Sequence, residues 1–299
     1  MPNDLKAAIA KAVALLTQAQ VSSPQVDAEL LLAHVVGVER TQLTTIADLT
    51  DDQANDFENL IARRANRVPL QHLTGVAYFR HLELAVGPGV FVPRPETELL
   101  VDAAINHLKN LDSPRIAVDL CSGSGAIALS LALEVPGTTV HAVEISDDAF
   151  NWLTHNVVDH AEKLEAVDSH VVLHHGNAGE RTLLSELSGQ VDAVVSNPPY
   201  IPSEMIPRDP EARDHDPAIA LFSGVDGLDV AREVVLVAAD LLKIGGFVGM
   251  EHADVQGESM PALFNEMPNI WSKVKDNLDY NKLPRFTTAI KANNAGVGR

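Results

Sequence analysis

Five apolar runs, RIAVDL, TTVHAVE, HVVLHH, VDAVVS and GGFVGME, recur between residues 115 and 251, each separated from the next by a stretch of chain long enough for a helix. Several are continuous rather than alternating, the pattern of strands covered on both faces, and a parallel sheet with helices on either side provides that cover. Helices are predicted from about Ser124, from Asp147, near Leu183 and after Gly227. IWSKVKD and RFTTAIKA read as two closing strands, and NNAGVGR as a frayed tail. Alternation of strand and helix makes the class α/β, doubly wound and mostly parallel, with seven strands over a domain spanning 96–299.

The front of the chain is different. Residues 4–67 carry only helical spacing: Leu5, Ile9, Val13 and Leu16 recur on one stripe, Ser23-Pro24 starts the next helix and Gly37 stops it, and Thr50 with Gln53 forms a capping box. A small helical bundle over 1–73 is expected. VAYFRHLELAVGPGVFVPRPETE then turns to β-branched and aromatic residues, which predicts a linking hairpin over 74–95, turning at Gly87-Pro88-Gly89.

Composition removes several functions. With 22 Lys and Arg against 41 Asp and Glu, the formal charge is −19, so the average surface repels a phosphate backbone, and stable nucleic-acid binding is disfavoured. Cys121 is the only cysteine, which excludes an internal disulfide and a cysteine zinc cage and suits a reducing compartment. Charged residues interrupt the apolar N-terminus, so neither a signal peptide nor a membrane span is predicted, and the expected location is cytoplasmic. None of the 12 histidines stands in a metal-binding spacing, and no metal site is expected. RDPEARDHDP reads as a solvated loop, and ARRANR at 62–67 as a helix end where cations suit the dipole.

Ligands of doubly wound sheets bind at the carboxyl ends of the strands. The first large-sheet strand runs into DLCSGSGAIAL, where Gly123 and Gly125 allow a tight turn and close approach of a ligand to bare backbone. The next strand ends in Glu144, placed to accept ribose hydroxyls. An adenosine-bearing cofactor is indicated; because Gly123, Gly125 and Ala128 also satisfy a loose dinucleotide fingerprint, NAD stays open at this stage. The fourth strand is followed by SNPPYI. Pro198 and Pro199 stiffen the chain and remove donors, so the Asn197 side-chain oxygen and the Pro198 carbonyl are offered as acceptors for a planar NH2, with Tyr200 as a flat neighbour. Methyl transfer to a planar nitrogen fits this rim better than hydride transfer, which wants donors.

These residues resemble the HemK/PrmC family of peptide chain release factor glutamine methyltransferases, S-adenosylmethionine-dependent enzymes. QHLTGVAYFRHLELAVGPGVFVPRPETELLVD, DLCSGSGAIALSLA, VEIS, SNPPYIP and DPAIALFSGVDGLD stand in family order across roughly 70–250. The resemblance implies transfer of a methyl group from S-adenosyl-L-methionine, leaving S-adenosyl-L-homocysteine, to the glutamine amide of a Gly-Gly-Gln motif in a release factor. It implies that Cys121, Ser122, Gly123, Ser124 and Gly125 cradle the methionine part of the cofactor, that Asp119 orients this loop or the methionine ammonium, and that Glu144 binds the ribose, with Asn197 beside both ligands. Asn197, Pro198, Pro199 and Tyr200 would hold the glutamine, with Arg94 and Glu96 nearby; Asn197, Pro198 and Tyr200 are the expected catalytic residues. Asn177 stands where relatives commonly place an aspartate for the adenine amino group, and Ala178 replaces a bulkier wall residue. The helical domain would grip the release factor, and the chain is expected to be a monomer. Alternative readings are an adenine-specific nucleic-acid methyltransferase, an NAD-dependent oxidoreductase, and a non-enzymatic module that keeps the cofactor fold.

Overall fold

The computed structural model describes residues 2–293, so most of the expected C-terminal tail lies outside the described residues. The chain divides into two compact units. One gathers the chain up to Val76 with Val86–Pro88 and Ile206–Asp216; the other holds Ala77–Ala85, Gly89–Met205 and the chain from Pro217 onward.

In the first unit, helices Leu5–Gln18, Pro24–Val36 and Asp51–Ala65 pack around Leu16, Leu31, Leu32, Phe57 and Ile61. Pro24 opens its helix as the sequence predicts, Gly37 closes it at φ 72°, and Thr50 and Gln53 exchange capping hydrogen bonds. The buried stripe of the first helix is Leu5, Ala8, Ala12 and Leu16; Ile9 and Val13 only flank it, because alanines allow closer approach of the neighbouring helices. RDPEARDHDP is not a solvated loop. Its Pro210–His215 stretch is a helical turn whose Glu211 is ion-paired to Arg64 (2.8 Å) and Arg67 (2.6 Å). Arg64, buried, also donates to Asp27 at 2.7 Å, so Arg64 and Arg67 of ARRANR are internal partners and not merely helix-end cations, while Arg63 is exposed.

The second unit starts with a hairpin, β1 (Val76–Phe79, whose Val76 belongs to the first unit) and β2 (Leu82–Ala85). Its turn is at Arg80-His81, with Arg80 at φ 52°, and not at Gly87-Pro88-Gly89. Arg80 explains the shift: its guanidinium binds both carboxylate oxygens of Glu134 and pairs with Asp102, tying the tip to two helices of the sheet's cover. The large sheet comprises β3 (Arg115–Leu120), β4 (Thr138–Glu144), β5 (His170–His175), β6 (Val191–Ser196), β7 (Leu242–Glu251), β8 (Trp271–Leu278) and β9 (Pro284–Lys291). Their order is β5-β4-β3-β6-β7-β9-β8, parallel up to β7, with β9 antiparallel to both of its neighbours. One face of the sheet packs Ala117, Val140, Ala193 and Val195 under helices Thr97–Leu108 and Ala126–Glu134; the other packs Val118, Val194 and Val248 under helix Asp229–Leu241. The helix expected near Leu183 is only the short turn Ser185–Leu187, and the helix Thr97–Leu108 stands where the sequence reading placed none.

Candidate active site

Strand order reverses between β3 and β6, the crevice where such sheets bind ligands. Register sets the loops there. Leu120 lies opposite Val143 on one side and Ser196 on the other, and Ser196 opposite Met250. One residue beyond this row come Glu144, Cys121, Asn197 and Glu251, so four strand ends present their next residues at one level. The Ser196 hydroxyl donates to the Leu120 carbonyl at 2.6 Å and fastens the two central loops together.

The two glycines of the loop do different work. At Gly125, φ is 88° and a Cβ would meet Leu153 at 2.7 Å, so glycine is required by packing. At Gly123, φ is 55° and a Cβ would meet nothing within 4 Å: the space above this backbone is open. Cys121 takes φ 68°, an unusual value for a side-chain-bearing residue, and burial pushes its thiol up, which makes it unreactive. Ser122 donates its N–H to Val143 and its hydroxyl to the Asp119 carbonyl. The Ser124 carbonyl accepts from Asn156, whose amide also exchanges two bonds with Ala85 of β2. Asn156 thus moors the loop to the hairpin. The sequence carried a signal for it, since Ala149, Leu153 and Asn156 share the buried face of helix Asp147–Asp159, where an amide is out of place unless bonded.

Acidic residues frame the loop. Asp119 is fully buried and its Oδ2 accepts from the Ala128 N–H at 3.1 Å, while Oδ1 has no partner among the described residues. Burial, with a contribution from Glu144, pushes its carboxyl up to about 7. Glu144 accepts from the N–H groups of Gly123 (2.8 Å), Ile145 (2.9 Å) and Ser146 (2.8 Å). An orphaned buried carboxylate oxygen beside open backbone fits a ligand that carries a positive charge and needs close approach to the chain. Asn177 is exposed and its Oδ1 accepts from Gly179 N–H at 2.9 Å; Ala178 is buried in the core face with Leu120 and Val143.

At the end of β6, Asn197 donates its amide to the Thr97 hydroxyl at 3.3 Å, and Thr97 donates to Glu251 at 2.6 Å. Among the described residues nothing donates to Asn197 Oδ1 or to the Pro198 carbonyl. Pro198 is buried, whereas Pro199 and Tyr200 are partly exposed. Burial first, then Glu251, pushes the Tyr200 phenol up, with Arg94 and Glu96 also within its electrostatic surroundings. Arg94 lies 5.3 Å from the centre of the Phe91 ring. The loop's backbone is held from behind: Gln256 donates to the Tyr200 carbonyl at 3.0 Å, Ile201 pairs with Phe222, and a Cβ on Gly227 would clash with the Tyr200 carbonyl. Thr97, Glu251 and Gln256 were not singled out from the sequence because they reach the site from 100, 54 and 56 residues away; Thr97 stands beside Glu96 in the quoted RPETE stretch, and no local pattern marks the other two.

A glycine loop and an Asn-Pro-Pro-Tyr loop side by side at the reversal of a seven-stranded sheet define a methyltransferase of the doubly wound type. The hMettl16 catalytic domain in complex with the MAT2A 3′UTR hairpin 6 shares this fold, at a TM-score of 0.53 and 16% identity, over 80% of this chain and 84% of that one. Residues 7–75 match the family model of the PrmC N-terminal domain, and residues 83–206 that of the methyltransferase small domain. The release factor glutamine methyltransferase of Streptomyces coelicolor is 52% identical over 293 residues, covering 97% of this chain and 99% of that protein. That of Mycolicibacterium smegmatis is 44% identical over 287 residues, covering 96% and 98%. The chain belongs to the release factor glutamine methyltransferase family.

Proposed function

We propose that this chain methylates the side-chain amide nitrogen of the glutamine in the Gly-Gly-Gln motif of peptide chain release factors, using S-adenosyl-L-methionine, in the cytoplasm. The observation that carries the reading is the pair of acceptors, Asn197 Oδ1 and the Pro198 carbonyl, beside a glycine loop with open backbone at Gly123. A primary amide brings two N–H donors, and two oxygens on a stiff rim take both. Orienting the NH2 this way favours a nitrogen lone pair directed at the electrophile and holds it in a near-attack position.

S-adenosylmethionine held at this loop would supply an electrophilic methyl carbon. The Asp119 carboxylate would be the chain's partner for its ammonium, which would give the orphaned Oδ1 its charge complement. Glu144 has about four lone-pair sites and uses three on backbone N–H groups, so one ribose hydroxyl fits without rearrangement and a second requires Gly123 to let go. Asn177 Oδ1 keeps one lone pair for the adenine amino group. Tyr200 offers its flat face, and its raised phenol stays protonated during turnover. The transferred methyl makes the nitrogen acidic, so its proton leaves afterwards and no general base is assigned. The helical unit is the part proposed to grip the release factor, and the enzyme is proposed to act as a monomer.

Intact mass of a release factor after incubation with enzyme and S-adenosylmethionine tests the reading. A gain of one methyl group, lost when the motif glutamine is changed, is expected; an unchanged mass with a folded, cofactor-binding enzyme contradicts it. NADH in place of S-adenosylmethionine is expected to give no thermal stabilisation.

A further inference from the structure

An asparagine amide has two ends of nearly equal shape, and only one of them accepts. The proposed chemistry needs Oδ1 of Asn197 toward the cleft, yet a rotation about the last side-chain bond would present two donors there and repel the substrate NH2. Something must choose the end. Thr97, the first residue of helix Thr97–Leu108, and Glu251, the last residue of β7, are both buried and stand in line behind Asn197. Their bonds have a fixed direction. A carboxylate only accepts, so the Thr97 hydroxyl spends its single hydrogen on Glu251 Oε2 at 2.6 Å. The Thr97 oxygen is left with lone pairs alone, so only the NH2 end of Asn197 can meet it, as it does at 3.3 Å.

We propose, resting on the methyltransferase reading above, that Thr97 and Glu251 are positioning residues that lock the Asn197 amide with its oxygen toward the substrate. Donation runs one way through the chain: the Asn197 NH2 donates to the Thr97 oxygen and the Thr97 hydroxyl to Glu251, which leaves the Asn197 oxygen for the cleft. Glu251 is the only member whose protonation could reverse it. A protonated Glu251 can donate to Thr97, which frees the hydroxyl hydrogen for Asn197 Oδ1 and turns the amide round. The groups facing Glu251 are Thr97, the Tyr200 phenol, Arg285 and Glu96; burial prevails among them and pushes its carboxyl up to about 7. Arg285 is itself paired to Asp279 at 3.0 Å, and so neutralises Glu251 only in part.

Thr97→Val keeps the shape and removes both hydroxyl functions; Thr97→Ser restores them. For a Gly-Gly-Gln peptide at saturating S-adenosylmethionine, Thr97→Val is expected to lower kcat/KM by roughly 10- to 100-fold, with cofactor affinity held within about threefold, and Thr97→Ser to return most of the loss. Wild-type kcat is expected to fall as pH drops below about 7, and Glu251→Gln to lose that acid limb. A Thr97→Val enzyme as fast as wild type, a Thr97→Ser enzyme as slow as Thr97→Val, or an acid limb unchanged in Glu251→Gln would overturn the assignment. A second readout does not depend on turnover: the nitrogen-labelled Asn197 side-chain NH2 resonance is expected to move in Thr97→Val and return in Thr97→Ser, and an unmoved resonance refutes the lock. A wild-type enzyme that leaves the peptide unmethylated while this resonance moves as expected sinks the function and spares the lock.

Discussion

Buried ionisable groups are finished differently in the two units of the molecule. In the helical unit, Asp27, Arg64, Arg67 and Glu211 are ion-paired to one another at 2.6–2.8 Å. Burial there works against ionisation of Glu211, but hydrogen bonds involving Asp209, Arg67 and Arg64 outweigh it and pull the carboxyl well below its usual range. At the strand ends, Asp119 and Glu251 are more deeply buried than Arg67 or Glu211, yet among the described residues neither has an ion pair, and both are pushed up to about 7. The first cluster is neutralised by its ion pairs, with Arg67 Nε left unbonded among the described residues. The second has hydrogen bonds but no ion pair there, and a buried acid without an ion-pair partner is costly enough that its retention points to a ligand or a directional role.

The contrast can be broken from either side. Arg64→Ala should have the largest effect: it leaves Asp27 buried and half of Glu211's pairing gone, and a loss of about 3–5 kcal/mol is expected in chemical denaturation. Cofactor affinity of the folded fraction should not change. Asn197→Ala should lower methylation by about 100- to 1,000-fold while cofactor affinity stays within about threefold, read by calorimetry beside the peptide assay; equal losses would remove Asn197 from its proposed place. Gly123→Ala should cost only the backbone strain of a side chain at φ 55°, about 1–2 kcal/mol, since its Cβ meets open space, but weaken cofactor binding about tenfold or more; Gly125→Ala should carry that strain and in addition press on Leu153, and so destabilise the fold further.

The smallest effect is one of pH. Only ionised Asp119 attracts an ammonium, so S-adenosylmethionine affinity should fall as pH drops below about 7, approaching about tenfold per unit, and Asp119→Asn should flatten the dependence. The sign for stability is opposite. A carboxyl raised from about 4 to about 7 by folding lends stability below pH 4 that is lost as pH rises through 7, so the cofactor-free protein should lose this contribution where the loaded one gains affinity.

Much of this was legible in the chain. Arg115–Leu120, Thr138–Glu144, His170–His175 and Val191–Ser196 match their sequence-predicted runs, because strands buried on both faces write themselves as unbroken apolar blocks. Asn197 and Gly123 were marked by local chemistry, proline stiffness in one case and backbone access in the other. Their supports were not. Thr97 follows a proline-rich stretch that hid the helix it begins, and Glu251 ends an apolar run where an acid reads as the return to solvent. The turn at Arg80 escaped because the Gly-Pro-Gly signal nearby is stronger by local rules, while Arg80 is held by Glu134 and Asp102 from elsewhere in the chain. Local rules name the residues proposed to touch a ligand; they do not see the ones proposed to aim them.

Binding of two peptides to enzyme loaded with S-adenosylhomocysteine tests most directly whether the strand-end oxygens hold a carboxamide. A Gly-Gly-Gln peptide should bind about tenfold or more tightly than a Gly-Gly-Glu peptide, whose carboxylate brings no N–H to Asn197 or Pro198 and meets their oxygens with repulsion. Equal affinity for the two would contradict the account.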